Sequence, residues 1–256
     1  MPTKILPLPK WQLQYRSQRG LSHEHRSEKC QDACIAFQRG RYLAFALADG
    51  AGSAPCGGLG ARRAVAASRS WLEAKLPSPA NPNWRVLLRD GVSEVRSALE
   101  EVARTKRLPI EDLACTLLLG ALTPTAAIVA HLGDGGAVLR NRRGELQLLS
   151  LSEREGAANL TAFLTGDQWE DNLCLSAQRG EFTGFAAFSD GLEAGAVNGE
   201  RKPHPGFFEP LFAMCSQKPA AAASKELRDF LSSDHLRAHT DDDCTLIIAA
   251  LREEKP

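Results

Sequence analysis

An apolar run that ends in a carboxylate and a glycine is the feature that most constrains how this chain can fold. Six uncharged residues, Leu43 to Ala48, lead directly into Asp49-Gly50. Uninterrupted apolar runs of this length are typical of buried strands. Similar junctions recur at Asp134-Gly135, at Asp190-Gly191 and, with the acids placed first, at Asp241-Asp242-Asp243 before Cys244 to Leu251. The pattern predicts four strands that each present an acid at one end.

Two interpretations of these Asp-Gly pairs are open. A single Asp-Gly pair is a common signal for a solvated turn. Several acids at the rim of an apolar core instead require a cation, a basic partner or open water, because a buried carboxylate is costly on its own. Mg²⁺ and Mn²⁺ prefer oxygen ligands, which carboxylates and the carbonyl of a sharp glycine turn both supply. The recurrence favours a site for hard divalent cations.

Composition and charge bound the class of protein. The 256 residues are 43% hydrophobic, enough for one large core, and we expect a single domain over residues 1–256. Basic and acidic residues both number 31, so no overall charge favours nucleic acid or an anionic membrane, and no apolar stretch approaches the ~20 residues that span a bilayer. Seven scattered cysteines without a C-x-x-C pair are typical of reduced core residues, and no apolar leader begins the chain. We therefore expect a cytoplasmic protein.

Hydrophobic periodicity and turn residues predict both helices and strands. Residues 13–27 are polar and basic, and we expect them to form a loop before a first strand at residues 30–37. Two amphipathic helices are predicted at residues 61–76 and 84–106. Further strands are predicted at residues 112–122, 126–133, 136–140 and 145–151, as one antiparallel meander, then on weaker patterns at 158–165 and 171–176, and at 181–189 and 244–251.

The segment from Leu192 to Thr240 has no comparable strand pattern. A break at Pro203-His204-Pro205-Gly206 precedes predicted helices at residues 207–216 and 219–232. Long connections in compact domains tend to serve a function. We therefore expect residues 192–240 to form a helical flap between two acidic strand ends.

No protein nucleophile is indicated by the sequence. Ser53 and Ser189 lack the G-x-S-x-G frame of a nucleophile elbow, because Ala51 and Ala187 occupy its first glycine position. Neither the phosphate-binding loop G-x-x-x-x-G-K-[ST] nor the pattern G-x-G-x-x-G occurs. A water activated by bound divalent cations needs no protein nucleophile and fits these absences.

Six short motifs occur in an order that indicates a family. They are Gln31-Asp32-Ala33, Ala48-Asp49-Gly50-Ala51-Gly52-Ser53, Ala114-Cys115-Thr116-Leu117, Gly133-Asp134-Gly135, Phe188-Ser189-Asp190-Gly191-Leu192 and Asp242-Asp243-Cys244-Thr245-Leu246. Together they resemble the motif series of the metal-dependent type 2C serine/threonine protein phosphatases, and Ser22-His23 ahead of them is most similar to a bacterial branch. The resemblance covers residues 22–251, almost the whole chain.

The resemblance implies an α+β fold, a four-layer α-β-β-α sandwich of two antiparallel sheets flanked by helices. It also implies two Mn²⁺ or Mg²⁺ ions, and a more weakly held third, at one end of the sandwich. In family terms the metals would be held by Asp49, which bridges two of them, by the carbonyl of Gly50, and by Asp190 and Asp242, while Asp134 shares the third site with Asp190. Asp32 would hold a water beside the metals. Asp241 and Asp243, on either side of Asp242, are expected to be turn or surface residues.

Two positions depart from the family pattern. Many relatives carry a histidine after the first Asp-Gly, a candidate acid for the leaving oxygen, where this chain has Ala51. The phosphate-binding arginine expected five residues before Asp32 is replaced by Ser27, and Arg26 stands one residue earlier. Arg26 is therefore the candidate phosphate ligand and His23 the candidate proton donor, since a histidine titrates near neutral pH. The alternatives for His23 are a share in phosphate binding, or a polar loop residue without a role.

Several functions stay open at this point. The resemblance favours hydrolysis of phosphoserine or phosphothreonine on a phosphorylated protein, with a serine/threonine kinase or its targets as candidate partners. The alternatives are a phosphatase-fold module that binds or regulates with little catalysis, and a metal-dependent small-molecule phosphatase or phosphodiesterase. Retention of the main acids favours catalysis, because metal ligands that did no work could be replaced by apolar residues.

Overall fold

The computed structural model describes residues 10–76, 78–151 and 161–252. In chain order its strands are β1 (Trp11–Gln18), β2 (Ala33–Arg39), β3 (Tyr42–Ala48), β4 (Leu117–Thr123), β5 (Ala126–Leu132), β6 (Gly136–Asn141), β7 (Leu146–Leu151), β8 (Cys174–Arg179), β9 (Phe182–Phe188) and β10 (Cys244–Leu251). Its helices are α1 (Leu21–His25), α2 (Gly57–Lys75), α3 (Trp84–Lys106), α4 (Glu193–Ala196), α5 (Pro205–Gln217), α6 (Ala220–Leu231) and α7 (Asp234–Arg237). Short 3₁₀ turns lie at Ile110–Leu113 and Asp190–Leu192.

Within the described ranges the strands form two five-stranded antiparallel sheets. The first sheet has the order β1-β10-β9-β6-β7, and the second has the order β2-β3-β4-β5-β8. Helices α2 and α3 pack on the outer face of the second sheet, and α5 and α6 pack on the outer face of the first. A third apolar core lies between the sheets, where the ring centroids of Phe45 and Phe185 are 4.5 Å apart. The expected four-layer α+β sandwich is confirmed.

Strand β3 is apolar throughout because both of its faces are buried. Successive side chains of a strand point to opposite faces, so the run divides into two sets. Leu43, Phe45 and Leu47 belong to the core between the sheets, while Ala44, Ala46 and Ala48 belong to the core beneath α2 and α3. Small alanine side chains let the helices approach the sheet closely. Strand β3 therefore crosses the core and ends directly before Asp49.

Helix α3 begins and ends at the predicted residues. Its buried residues recur at intervals of three or four positions, at Leu88, Val92, Val95, Leu99 and Ala103. Gly91 lies on the same face, and a Cβ atom there would be 2.7 Å from the indole ring of Trp71 on α2. The glycine thus allows the two helices of the outer layer to make close contact.

Strand β1 corrects the prediction of a polar loop at residues 13–27. It pairs along its whole length with β10 at one edge of the first sheet. Gln12 and Gln14 hide the strand pattern because they are buried, with side-chain amides that donate to the carbonyls of Lys218 (2.7 Å) and Ala220 (3.1 Å). Polar residues satisfied by the end of one helix and the start of the next can thus line a buried face of a strand.

The predicted meander of four consecutive strands is wrong. Strands β4 and β5 pair in the second sheet, whereas β6 and β7 pair in the first. The chain crosses between the sheets at residues 133–135, where Gly133 and Gly135 adopt positive φ angles of 103° and 85°. Each hairpin follows the local pattern, but the glycine turn between them sends the second hairpin into the other sheet.

Several further strand predictions also differ from the structure. The strand predicted at residues 112–122 begins at Leu117, because Ile110–Leu113 form a 3₁₀ turn. The prediction at 171–176 corresponds to β8, which begins only at Cys174. Of the prediction at 158–165, residues 158–160 lie outside the described ranges and residues 161–165 are not a strand.

Residues 192–240, predicted as a helical flap, contribute helices that pack on the outer face of the first sheet. Both predicted helices are present, as α5 and α6. Phe208, Leu211 and Phe212 of α5 are buried in one apolar core with Ile248 of β10. A segment with this much buried apolar surface is part of the folded core.

Two chain-wide expectations can be compared with the structure. All seven cysteines are free, and Cys115, Cys215 and Cys244 are buried while Cys174 is exposed. Among the residues that the structure describes, no helix combines the length and the apolar character needed to cross a membrane.

Candidate active site and metal centre

Three carboxylates meet at one end of the sandwich. Asp49, Asp134 and Asp190 each offer an oxygen atom that lies within 4.8 Å of the oxygens offered by the other two. Asp49 and Asp134 follow β3 and β5 of the second sheet, and Asp190 follows β9 of the first. The three acids line a cleft of about 320 Å³. The ends of strands from both sheets therefore build the site.

The backbone around Asp49 is held from the neighbouring segment. The amide of Asp49 donates to the Thr116 hydroxyl at 3.0 Å, and the amide of Thr116 donates to the Asp49 carbonyl at 2.8 Å. Gly50 packs against the start of α2, where a Cβ atom would lie 2.3 Å from the carbonyl carbon of Gly57. Only glycine fits there, so the Asp49-Gly50 turn is fixed by the packing of α2.

The electrostatics of the three acids favour a cation. Burial, reinforced by the charge of Asp32, raises the pKa of Asp49 well above its usual range. Burial, with the charges of Asp134 and Asp242, raises the pKa of Asp190 to about 7. Within the described ranges no lysine or arginine forms an ion pair with these carboxylates. Clustered oxygens without a protein counter-charge fit Mg²⁺ or Mn²⁺, which carboxylates and carbonyls bind preferentially.

Asp32 lies beside this cluster, fully buried. Its Oδ2 accepts a hydrogen bond from the Ser189 hydroxyl at 2.8 Å, while its Oδ1 has no protein partner. Burial raises the pKa of Asp32 to about 6, although its hydrogen bonds to neighbours oppose the rise. The amide of Thr245 in turn donates to the Ser189 hydroxyl at 2.9 Å. The carboxylate is thus held in one orientation with one oxygen unpaired.

Asp242 lies on the wall of the same cleft, more exposed than the other acids. It is not among the three carboxylates that meet most closely. Its Oδ1 accepts a hydrogen bond from the Asp243 amide at 2.8 Å, and burial raises its pKa. Asp242 and Asp190 line the same cleft, and the charge of Asp242 raises the pKa of Asp190.

The prediction that Asp243 is a turn or surface residue is wrong, whereas Asp241 is exposed as expected. Asp243 is buried, and its two oxygens accept hydrogen bonds from the amides of Gly20 (2.7 Å) and Gln31 (2.5 Å). These bonds tie both ends of the loop that carries α1 to the start of β10. A buried carboxylate satisfied by backbone amides gives no sequence signal that separates it from its acidic neighbours.

His23 and Arg26 both line the cleft. His23 is buried, with Nδ1 lying 3.0 Å from Oδ1 of Asp243 and Nε2 lying 3.7 Å from a Glu28 oxygen. Arg26 is exposed, and its Nε donates to Glu28 at 2.9 Å. Ser27, at the position where the family pattern has arginine, adopts a positive φ of 56°. The arginine is therefore present at the cleft one position earlier in the chain.

The structure also brings residues to the site that the sequence did not single out. Thr161 and Phe163 line the cleft, and the Thr161 hydroxyl donates to Oδ2 of Asp134 at 2.9 Å. His131 is buried beneath, with Nδ1 2.8 Å from the Ser150 hydroxyl and Nε2 3.2 Å from the Asp134 carbonyl. Burial lowers the pKa of His131. Its sequence context, inside an apolar strand, resembles that of a core residue, which is why it escaped notice.

Comparison with known proteins places the chain in a family. Residues 19–232 match the family model described as Protein phosphatase 2C. The chain belongs to the protein phosphatase 2C family. It is 34% identical to Serine/threonine-protein phosphatase 3 of Escherichia coli (strain K12) over 252 residues, which cover 95% of this chain and 99% of that relative. The resemblance drawn from the six motifs is confirmed.

Solved structures of bacterial phosphatases share the protein phosphatase 2C architecture. The serine/threonine phosphatase Stp1 from Staphylococcus aureus matches with a TM-score of 0.68 at 17% identity, covering 99% of this chain and 100% of that one. The catalytic domain of the serine threonine protein phosphatase PstP, solved in complex with two manganese ions, matches with a TM-score of 0.64 at 22% identity, covering 95% and 100%. At these identities the likeness establishes the fold.

Proposed function

We propose that this member of the protein phosphatase 2C family is a metal-dependent enzyme that hydrolyses phosphoserine and phosphothreonine on proteins. The observation that carries the proposal is the convergence of Asp49, Asp134 and Asp190 in one cleft without a protein counter-charge. The similarity to a bacterial serine/threonine-protein phosphatase supports the substrate class. A kinase that phosphorylates the same proteins is the expected partner.

The acids of the cleft suit a centre of two Mn²⁺ or Mg²⁺ ions. We assign Asp49, the Gly50 carbonyl, Asp190 and Asp242 as ligands of these two, and Asp134 with Asp190 as ligands of a weaker third. When bound, the ions would supply an activated water and neutralise charge on the phosphoryl oxygens. The PstP catalytic domain was solved with two manganese ions, which supports the proposal of two ions here. Mg²⁺ prefers the same oxygen donors as Mn²⁺.

The chain's own side chains would position the reactants. Asp32 has one unpaired oxygen beside Asp49, so it can accept a hydrogen bond from the attacking water and orient it. Arg26 lies on the cleft wall with its side chain about half exposed, so it can contact the phosphoryl oxygens of the substrate. Thr161 restrains Asp134 through its hydroxyl. Each of these side chains would position a reactant or a ligand, and the attacking oxygen would come from water.

His23 has two possible roles at this site. As a proton donor it would protonate the leaving serine or threonine oxygen, which the sequence suggested because Ala51 replaces the usual histidine. As a positioning residue it would instead hold Asp243, and through it the loop of α1 that carries Arg26. The burial of His23 and the 3.0 Å separation from Asp243 favour the positioning role.

A comparison of four substrates tests the proposal. Phosphate release would be measured with Mn²⁺ for a phosphothreonine peptide, free phosphothreonine and p-nitrophenyl phosphate, and p-nitrophenol release would be measured for bis(p-nitrophenyl) phosphate. We expect the peptide to have the highest kcat/KM among the substrates with an alkoxide leaving group, and the diester to be inert. Preference for the diester would indicate a phosphodiesterase. Binding of the peptide without turnover of any substrate would indicate a regulatory module, and either result would overturn the proposal.

A further inference from the structure

A second cleft of about 660 Å³ adjoins the acidic cleft. The two clefts share Arg26, Gly52 and Ser53 in their walls, so a bound chain can pass from one into the other. We call the second cleft the basic groove, defined by the side chains of Arg26, Lys29 and Arg62 and by the start of α2 at residues 56–58. It is open enough to admit an extended peptide.

The side chains of the basic groove carry an excess of positive charge. Glu28 is the acid among the groove residues, and it pairs with Arg26. Lys29 and Arg62 are exposed, and within the described parts of the chain no carboxylate forms an ion pair with either. Arg62 donates to the carbonyl of Cys30 at 3.3 Å, which ties its guanidinium to the groove wall while leaving other donors free to bind a ligand.

The start of α2 adds to this positive potential. The helix is 19 residues long, it has no acidic residue in its first turn, and no side chain caps its first amides. The amides of Gly57, Leu59 and Gly60 donate to backbone carbonyls, and the positive end of the helix dipole still attracts negative groups. Gly57 and Gly58 are buried, and a Cβ atom at Gly58 would lie 3.2 Å from a terminal nitrogen of Arg62. Helix end and guanidinium thus lie side by side.

We infer that the basic groove binds acidic side chains that flank the phosphorylated residue of a protein substrate. The inference rests on the proposed function, because it assumes that a phosphopeptide enters the neighbouring cleft. The two clefts differ in sign, with carboxylates around the metal centre and cations in the groove. Such complementarity selects substrates by the charge of the flanking segment and makes the selection sensitive to salt.

Phosphopeptides of matched length test the inference. One phosphothreonine peptide would carry three glutamates at positions two to four before the phosphothreonine, a second would carry them after it, and a third would carry alanines at all six positions. The glutamate peptide whose acids reach the basic groove should exceed the alanine peptide in kcat/KM by roughly five- to tenfold at low salt, as two or three exposed ion pairs would give. The ratio should fall toward one at 0.5 M NaCl.

Variants of the groove separate this effect from general charge. Arg62→Ala and Lys29→Ala should each lower the glutamate-to-alanine ratio several-fold, and R62E should invert it. Arg63→Ala is the matched control, because Arg63 is an exposed arginine next along α2 that does not line the groove, and it should keep the wild-type ratio. Equal kcat/KM for all three peptides, or a ratio that survives R62E in a variant of unchanged melting temperature, would overturn the inference. If none of the three peptides, including the alanine peptide, were dephosphorylated, the result would contradict the proposed function and not this inference.

Discussion

At the scale of single residues, the acids of the cleft are held together at a cost that bound cations would remove. Asp49, Asp134 and Asp190 stand within a few ångströms of one another, and burial raises the pKa of Asp49 and Asp190. Like charges at this distance disfavour the ionised form of each carboxylate. Their side chains are therefore more valuable for binding a metal than for stabilising the metal-free fold.

The Asp190→Asn substitution separates those two roles. Asparagine keeps the volume of the side chain but removes the charge that would hold the ion, so turnover with Mn²⁺ should fall roughly 10³-fold or more. Phosphate release from a phosphothreonine peptide is the measurement, with Asp167→Asn as a control because Asp167 is exposed and does not line the cleft. Near-native turnover of the variant would place Asp190 outside the metal centre.

The stability of the metal-free protein should depend on pH through the same carboxylate. The pKa of Asp190 is raised to about 7 in the folded protein, so between pH ~4, the usual value of an aspartate, and pH 7 the folded state binds more protons than the unfolded state. The free energy of unfolding then falls as pH rises through this window. Thermal melting in EDTA should show a lower Tm at pH 8 than at pH 5.5, and a smaller difference in Asp190→Asn. A Tm difference of the same size in that variant would assign the dependence to other groups.

His23→Ala tests which of two roles this histidine has. If His23 positions the loop of α1, turnover should fall by a similar factor on a phosphoserine peptide and on p-nitrophenyl phosphate. If His23 donates the proton, the loss should reach roughly 10²-fold on the peptide and be much smaller on p-nitrophenyl phosphate, whose leaving group needs no proton. His25→Ala is the control, since His25 is exposed on the same helix. We expect the first pattern, and the second would return His23 to general acid catalysis.

A site residue can be predicted from the sequence when its neighbours along the chain mark it. Asp49, Asp134 and Asp190 stand at the ends of apolar runs, and the strand ends do bring them together. Asp243 shares its place before β10 with two other acids, and His131 lies inside an apolar strand, so the sequence does not single out either. Backbone amides hold Asp243, and Ser150 of the other sheet holds His131. Contacts between residues that are distant in the sequence decide their surroundings.

At the scale of elements, close backbone packing sets which helices cover the second sheet. Helices α2 and α3 meet where Gly91 faces the ring of Trp71, and Gly50 meets the start of α2 in the same manner. Replacement of either glycine would place a Cβ atom closer to its neighbour than van der Waals contact allows. The packing of α2 therefore links the outer helical layer to the turn that carries Asp49.

The Gly91→Ala substitution should destabilise the fold. Alanine in a helix interior gains about 0.5–1 kcal/mol over glycine, but overpacking against Trp71 costs about 1–3 kcal/mol. The expected net loss lowers the Tm by roughly 2–6 °C for a chain of this size. Gly199→Ala is the control, since no heavy atom lies within 4 Å of a Cβ atom there. An unchanged or raised Tm for Gly91→Ala would show that Trp71 moves aside freely.

Elements were predictable where one pattern dominated a long segment. Helix α3 and the strands that end in Asp-Gly follow hydrophobic periodicity alone. Strand β1 was not predicted because two buried glutamines interrupt its apolar face. The prediction of a meander was wrong because two glycines with positive φ turn the chain into the other sheet. The sheet that a hairpin joins is decided by tertiary contacts, which local periodicity does not encode.

At the scale of the whole molecule, the candidate metal centre exists only when both sheets are assembled. Asp49 and Asp134 belong to strand ends of one sheet, and Asp190 and Asp242 lie beside strands of the other. Cations that bind the assembled site but not the unfolded chain would stabilise the fold in proportion to their affinity. Metal binding, folding and activity are therefore expected to be linked.

Removal and return of the metal tests this account most directly. The protein would be treated with EDTA and dialysed, and phosphate release from a phosphothreonine peptide would be measured before and after addition of Mn²⁺ or Mg²⁺. We predict that the metal-free protein releases phosphate at the background rate and that either cation restores turnover, because a water nucleophile at neutral pH needs the cations for its activation. Undiminished turnover by the metal-free protein would contradict the account.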